Sequence, residues 1–216
     1  KVLEKIYNNG HLQKGFKPVH WCVKCQSALA EAEVEYEEKE STAVDIKFYF
    51  KFQDNLLETF KIKDLKGKAS VVIWTTTPWT LPSNKSVAVN KDINYILISG
   101  NNENYVIANE LFDKFNERVE GEFTKIGSCL GSDLVGFALK HPFLNDIVEV
   151  IDSDHVTTDS GTGCVHIAPA HGTDDFLLGK RFGLEILNPI LSNGVFSGKP
   201  NNLNGTHVYK LDDPII

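Results

Sequence analysis

The sequence contains no methionine. A chain that opens on Lys1 and never uses that residue has no translational start, so it reads as a piece excised from a longer protein. It also lacks any apolar run approaching the ~20 residues that a membrane-spanning helix needs. The polar, lysine-bearing amino terminus has no apolar stretch behind it of the kind that marks a secretory signal. These absences lead us to expect a cytoplasmic domain with no membrane attachment. Positive charge is scarce as well: 22 Lys and Arg stand against 29 Asp and Glu, a net charge of −7. A domain that held nucleic acid mainly through its phosphates would be basic, so any such contact must be small and local. Cysteine is limited to Cys22, Cys25, Cys129 and Cys164, and only the first two have a motif spacing, so nothing suggests a secreted disulfide framework.

With 216 residues the chain can bury a sizeable core in one large domain or two small ones. Residues 30–37 alternate, with Ala30, Ala32, Val34 and Tyr36 set against four glutamates. Ala and Glu favour helix by propensity, but a period of two predicts a strand with one solvated face. Residues 43–52 repeat the pattern, placing Val44, Ile46, Phe48, Phe50 and Phe52 on one side. Further β-like runs cover residues 70–75, 86–89, 95–98, 105–108, 147–151 and 164–168, with Asn, Gly, Asp and Pro between them. That spacing predicts a barrel or sandwich rather than a parallel sheet. Two helices are expected, at about 109–119 and about 173–182. The second has Thr173 as N-cap, Asp174 and Asp175 in its first turn and Gly183 as its stop.

Two segments carry chemistry. WTTTPWTLPSN, residues 74–84, clusters hydroxyls that both donate and accept, and Pro78 should end the strand so that Thr75, Thr76 and Thr77 sit at a rim. A β-branched run also simply favours a strand. GTGCVHIAPAHGTDD, residues 161–175, holds two glycines that permit close backbone approach or a turn. It places His166 in an alternating strand, and its two carboxylates exceed what helix capping needs. Trp21 precedes Cys22-x-x-Cys25, a spacing shared by thioredoxin-like redox sites and by half of a zinc site.

Both long segments resemble signature peptides of the editing domain inserted into class I tRNA synthetases for branched aliphatic amino acids. The Thr-Thr-Thr-Pro-Trp-Thr run is similar to that of the isoleucyl enzymes, and the opening PVHWCVKCQSALAEAEVEY resembles the stem that leads into the insertion. The resemblance implies a mainly β domain with a few helices, an editing β-barrel carried on a short β-ribbon stem. Residues 1–40 would be the stem, 41–205 the barrel and 206–216 the return of the stem. It implies hydrolysis of valine wrongly esterified to the isoleucine tRNA, or of valyl-adenylate, without a covalent intermediate. Thr76, Thr77, His166 and Asp175 would be catalytic. Trp74, Thr75, Asn84, Gly163, Val165 and Ala168 would line the substrate site. Within that set, His166 would crowd out isoleucine and Asp175 would hold the amino acid's ammonium. His171 is expected to be a loop residue, with a second polar wall as the alternative. No cofactor is implied for editing. Cys22 and Cys25 would be half of a zinc knuckle whose partner cysteines lie outside this chain. Its partners would be the 3′ end of the charged tRNA and the rest of the parent synthetase, with the chain itself monomeric. A non-catalytic binding or redox module built on Cys22 and Cys25 is the rival reading.

Overall fold

A computed structural model describes residues 1–12, 14–38 and 40–216. Helix α1 (Val2–Asn8) buries no residue and precedes a two-stranded antiparallel ribbon, β1 (Trp21–Cys22) with β2 (Ser27–Ala28). Then come β3 (Val44–Phe50), α2 (Leu56–Thr59), β4 (Ala69–Thr75), β5 (Ser86–Val89), β6 (Asn94–Gly100), β7 (Glu103–Ala108) and α3 (Phe112–Arg118). The chain continues through β8 (Thr124–Leu130), β9 (Ala138–Lys140), β10 (Ile147–Asp152), β11 (Val165–Ile167), α4 (Thr173–Phe182) and α5 (Asp212–Ile215). The fold is thus mainly β with a few short helices.

Among the described residues nine strands form one mixed sheet in the order β11-β5-β10-β9-β3-β4-β7-β6-β8, with parallel pairings only at β10–β5 and β4–β7. The expected barrel is not closed. Among the described residues the outer strands β11 and β8 have no ladder between them. The sheet nevertheless curls about a common core. Val87 of β5, Tyr95 of β6, Cys129 of β8 and Val148 of β10 belong to one apolar cluster. The loop before β11 crosses to β7 and β6. The backbone N–H of Ala108 donates to the Thr162 carbonyl at 2.8 Å, and the buried Tyr95 hydroxyl donates to the Gly163 carbonyl at 2.6 Å. Gly163 has φ +74, and a Cβ there would collide with the Ala108 side chain, so glycine is required for this seam.

Several expectations need correction. Residues 30–37 do not form a strand: Glu31–Glu33 is a single 3-10 turn, and Tyr36 is 85% exposed. The Glu33 carboxylate accepts from the Ala30 N–H at 2.7 Å, so a local turn satisfies the backbone where no neighbouring strand offers a ladder. Strand β3 stops at Phe50, which leaves Phe52 exposed instead of on the inner face. Strands β8 and β9 were not expected, because their apolar alternation is weak and their pairing comes from β6, β3 and β10. Helix α3 is shorter than the predicted 109–119, since residues Asn109–Leu111 form a 3-10 turn before it. Helix α4 has the predicted span and ends on left-handed Gly183, but Thr173 is its first residue and not its cap. Gly172 occupies the cap position with no side-chain hydrogen bond.

Tyr95 is the link across the seam. Its hydroxyl also accepts from the Asn90 N–H at 3.0 Å, and burial pushes its pKa up. Tyr95→Phe should strip a partner from each of two backbone groups and cost ~1–3 kcal/mol. Urea denaturation would read this as a lower midpoint with an unchanged slope, and an unaltered midpoint would contradict the assigned bridge.

Candidate functional site

The threonine-rich segment sits where β4 leaves the sheet. The strand ends at Thr75, and Pro78 opens a 3-10 turn, Pro78–Ser83, that carries Pro82 inside it. Pro at the start of a helix loses nothing, because that N–H has no intrahelical acceptor. The turn is tied from within: the Thr75 hydroxyl accepts from the Thr77 N–H at 3.1 Å and lies 3.3 Å from the Thr77 hydroxyl. Thr80 donates its hydroxyl to the Thr77 carbonyl at 2.8 Å.

Three histidines hold the turn from outside. His166 Nε2 lies 3.1 Å from the Thr80 hydroxyl, His141 Nε2 lies 3.0 Å from the Leu81 carbonyl, and His171 Nε2 lies 2.9 Å from the Ser83 hydroxyl. Thr80 spends its single proton on Thr77, so His166 donates from Nε2. Its Nδ1 then carries a lone pair, and that atom is buried without a partner. His141 is likewise a defined neutral tautomer, donating at Nε2 to a carbonyl while Nδ1 accepts from the Leu144 N–H at 3.1 Å. Burial lowers the pKa of all three: His166 to about 4, with His171 and His141 adding to the effect, His171 to about 4, and His141 in the same direction.

A cavity of about 910 Å³ opens in front of this turn. Thr76, Thr77, Trp79, Thr80 and His171 line one side of it. The opposite side comes from the ribbon, through Val19, Trp21 and Val23, and from the C-terminal segment, through Leu191, Val208 and Asp212. That segment has its own small core of Phe196, Leu203 and Leu211, against which Trp79 packs. Of the expected site residues, Thr76 and Thr77 line the cavity. The others are not among its lining residues. His166 is 8% exposed and reaches the wall through Thr80. Asp175 accepts from the Ala168 N–H at 2.8 Å, and burial raises its carboxyl pKa. Buried Asn84 donates from Nδ2 to the Ser86 carbonyl at 2.8 Å and leaves Oδ1 buried and unpaired. Gly161 packs against Trp74, while Gly163 meets Ala108, so both glycines serve a turn against protein. Val165 packs with Ile167 and Leu178. His171 lies in the loop before α4, as expected, and it is also part of the wall, the alternative weighed for it, 5.0 Å from the Trp79 ring and edge-on to it. Trp79, Thr80 and His171 all lie within the two segments singled out by sequence, whereas His141 carried no signal.

Cys22 and Cys25 flank the hairpin turn between β1 and β2, not a helix start. The Cys25 N–H, 3.3 Å from the Cys22 sulfur, lowers the pKa of Cys22, and the hydrogen bond to Cys22 raises that of Cys25. Cys129 and Cys164 are buried in the sheet's core, and no group of three or more metal-binding side chains occurs among the described residues. Two thiols do not make a four-ligand zinc site, so this chain alone does not fit that ion.

Along residues 1–185 the sequence matches the family model described as tRNA synthetases class I (I, L, M and V). The chain belongs to that family. It is 46% identical over its whole length to the isoleucine–tRNA ligase of Shewanella sediminis (strain HAW-EB3), and 46% identical, again over its whole length, to that of Vibrio cholerae serotype O1 (strain ATCC 39541 / Classical Ogawa 395 / O395). It spans 24% of the length of these relatives. Its fold is similar to the leucyl-tRNA synthetase editing domains of P. knowlesi and P. falciparum. The first match has a TM-score of 0.55 at 12% identity, covering 69% of this chain and 68% of that one. The second has a TM-score of 0.54 at 13% identity, covering 81% and 80%. No helix among the described residues is long and apolar enough to cross a membrane.

The histidine frame makes stability depend on pH. His166 and His171 bind a proton near pH 4 when folded and near the ordinary 6.5 or so when unfolded. Between those values the unfolded chain binds more protons, so stability is full above about 6.5 and falls as pH drops towards 4. The raised Asp175 carboxyl works in the opposite sense and moderates the loss. The urea midpoint should therefore be clearly lower at about pH 4.5 than at about pH 7.5, and the gap should narrow in His171→Gln. Equal midpoints at the two pH values would show that the frame does not stay neutral.

Proposed function

We propose that this chain hydrolyses the ester joining valine to the 3′-terminal adenosine of the isoleucine tRNA, and that it accepts valyl-adenylate as a second substrate. The observation that carries this reading is the pair Thr76 and Thr77 on the wall of a roughly 910 Å³ cavity, in a segment held rigid by neutral histidines. Ligand pockets commonly occupy ~300–1,000 Å³. A hydrophobic pocket distinguishes one methylene by only ~1–3 kcal/mol, a limit for which isoleucine against valine is itself the standard illustration, and a second, hydrolytic site restores fidelity.

In this reading water adds to the ester carbonyl, the carbon–oxygen bond to the ribose breaks, and the ribose oxygen leaves with a proton. An ester is already activated, so positioning and oxyanion stabilisation supply most of the rate. Thr76 and Thr77 hold the ribose edge and the water, and Thr75 orients Thr77. Asn84 supports the turn behind them. His166 fixes Thr80 and through it the depth available to the side chain. Asp175 keeps one carboxylate oxygen on Ala168 and offers the other to the ammonium. Trp74, Gly163, Val165 and Ala168 set the backbone around these groups. The reading assigns no cofactor to hydrolysis. It gives Cys22 and Cys25 to a zinc site completed elsewhere in the parent synthetase, and it implies a monomeric, cytoplasmic domain. The redox alternative has less support, because Cys22 lies in a hairpin and not at a helix start.

Deacylation of valyl-tRNA at matched folded fraction tests the assignment. Thr76→Ala, Thr77→Ala and Asn84→Ala should each slow hydrolysis by about 5- to 150-fold, the equivalent of ~1–3 kcal/mol. His166→Ala should extend hydrolysis to isoleucyl-tRNA. Asp175→Asn keeps an acceptor for Ala168 while removing the charge, so it should abolish hydrolysis with little loss of stability. Unaltered rates in all three Thr and Asn variants would overturn the site.

A further inference from the structure

Resting on the hydrolytic reading above, we infer that His171 is a further catalytic residue, whose Nδ1–H donates to the ester carbonyl oxygen as it becomes an oxyanion. In that reading the threonines take the ribose and the water and Asp175 takes the ammonium, which leaves the carbonyl oxygen without a donor. His171 lines the same cavity as Thr76 and Thr77. Three contacts fix it there. Its Nε2 lies 2.9 Å from the Ser83 hydroxyl, the Trp79 ring meets it edge-on at 5.0 Å, and its backbone N–H donates to the Ala168 carbonyl at 2.8 Å. A donor already fixed in place needs no reorganisation when charge develops, which is what makes such a group effective towards an oxyanion.

Ser83 decides where the imidazole proton sits. Its hydroxyl is buried, and His171 is the one partner of that hydroxyl among the described residues. If His171 donated from Nε2, the Ser83 proton would be buried with no acceptor, which is costly. Ser83 therefore donates, Nε2 accepts, and the proton of the neutral ring is on Nδ1. Burial keeps the ring neutral, with its pKa lowered to about 4. Nδ1 has no protein partner among the described residues, yet it is not one of the buried unpaired atoms, so it meets solvent on a residue of the cavity wall. His166 is the opposite case, with its proton on Nε2 and its Nδ1 buried. An imidazole of such low basicity is a poor proton acceptor near neutral pH and a competent hydrogen-bond donor. In the reaction the water oxygen bonds to the carbonyl carbon, and the carbonyl π pair moves onto oxygen, where Nδ1–H meets it. Collapse then expels the ribose oxygen, which takes the proton that the water loses. His171 keeps its own proton throughout.

Two substitutions separate the roles of the two nitrogens. His171→Gln can still accept from Ser83 but has no donor at the place of Nδ1. It should keep the urea midpoint of the unmutated chain near neutral pH and hydrolyse valyl-tRNA about 100-fold more slowly, with KM little changed. His171→Asn loses the reach to Ser83 but carries an amide N–H near the place of Nδ1–H. It should lower the urea midpoint yet recover at least about tenfold of the lost rate. A histidine that only braced the turn would give the reverse order of rates. Nitrogen-resolved NMR of the unmutated 216-residue chain reads the tautomer without any substitution and should find the His171 proton on Nδ1. A proton on Nε2, an unaltered rate in His171→Gln, or equal loss of rate in the two variants would overturn the donor. If valyl-tRNA hydrolysis and its dependence on Thr76 stand while His171→Gln keeps the full rate, the donor alone falls. If the unmutated chain leaves valyl-tRNA intact, the hydrolytic reading falls and takes the donor with it.

Discussion

The constraint on which the site depends is the need to fix a proline-bearing 3-10 turn whose own backbone bonds, such as Thr80 N–H to the Thr77 carbonyl at 3.0 Å, are short of donors. Pro78 and Pro82 supply no N–H, and 3-10 hydrogen bonds are poorly aligned. The turn is held in addition by side chains that arrive from three separate places. His141 follows β9, His166 lies on β11, and His171 lies in the loop before α4. Each meets a different residue of the turn, at Leu81, Thr80 and Ser83. All three are neutral because burial opposes their charge. Neutral imidazoles combine one donor with one acceptor, so they can brace a polar turn without leaving a buried charge uncompensated.

That frame exists only because the sheet curls. β11 lies at one edge of the ladder and β8 at the other, and the loop of residues 161–164 that leads into β11 is bonded to β7 at Ala108 and to β6 at Tyr95. Three contacts hold this loop: Arg118 reaches the Gly161 carbonyl at 3.3 Å, and the Ala108 N–H and the Tyr95 hydroxyl take the next two carbonyls. Arg118 is itself held by a two-point contact with Asp45 at 2.7 and 2.9 Å. The path from a surface ion pair to His166 thus runs through a short, well-satisfied loop. Asp175 completes the arrangement from the other end of β11, clamping Ala168 so that His171 can face the turn. The ribbon and the C-terminal segment then supply the opposite side of the cavity in front of the turn.

Much of this was legible in the sequence, and for identifiable reasons. The strands of the sheet with strong apolar alternation or continuous β-branched character were found with small errors at their ends. Helix α4 was found because acidic residues begin it and a glycine ends it. Residues 30–37 were misread because alternation describes a strand only when a neighbour can complete its hydrogen bonds, and none does here. The weakly patterned β8 and β9 owe their conformation to neighbours far away in sequence. The threonine segment was correctly placed at a strand end, since Pro78 dictates that locally.

The sequence by itself determined the class of fold, the family and the two segments that hold the threonine-rich turn and two of the three histidines that brace it. Those follow from local pattern, from turn-forming residues and from long motifs that need no knowledge of distant contacts. Only the tertiary structure decided which residues of those segments line the cavity and which do not. It made His171 part of the wall, put His166 one hydroxyl away from it, and turned Asp175 towards Ala168. It also brought Trp21 and Asp212, 191 positions apart in the chain, to one surface. Such choices depend on how a curled sheet projects its loops and on which buried polar groups find partners there, and neither is written in the spacing of residues along the chain.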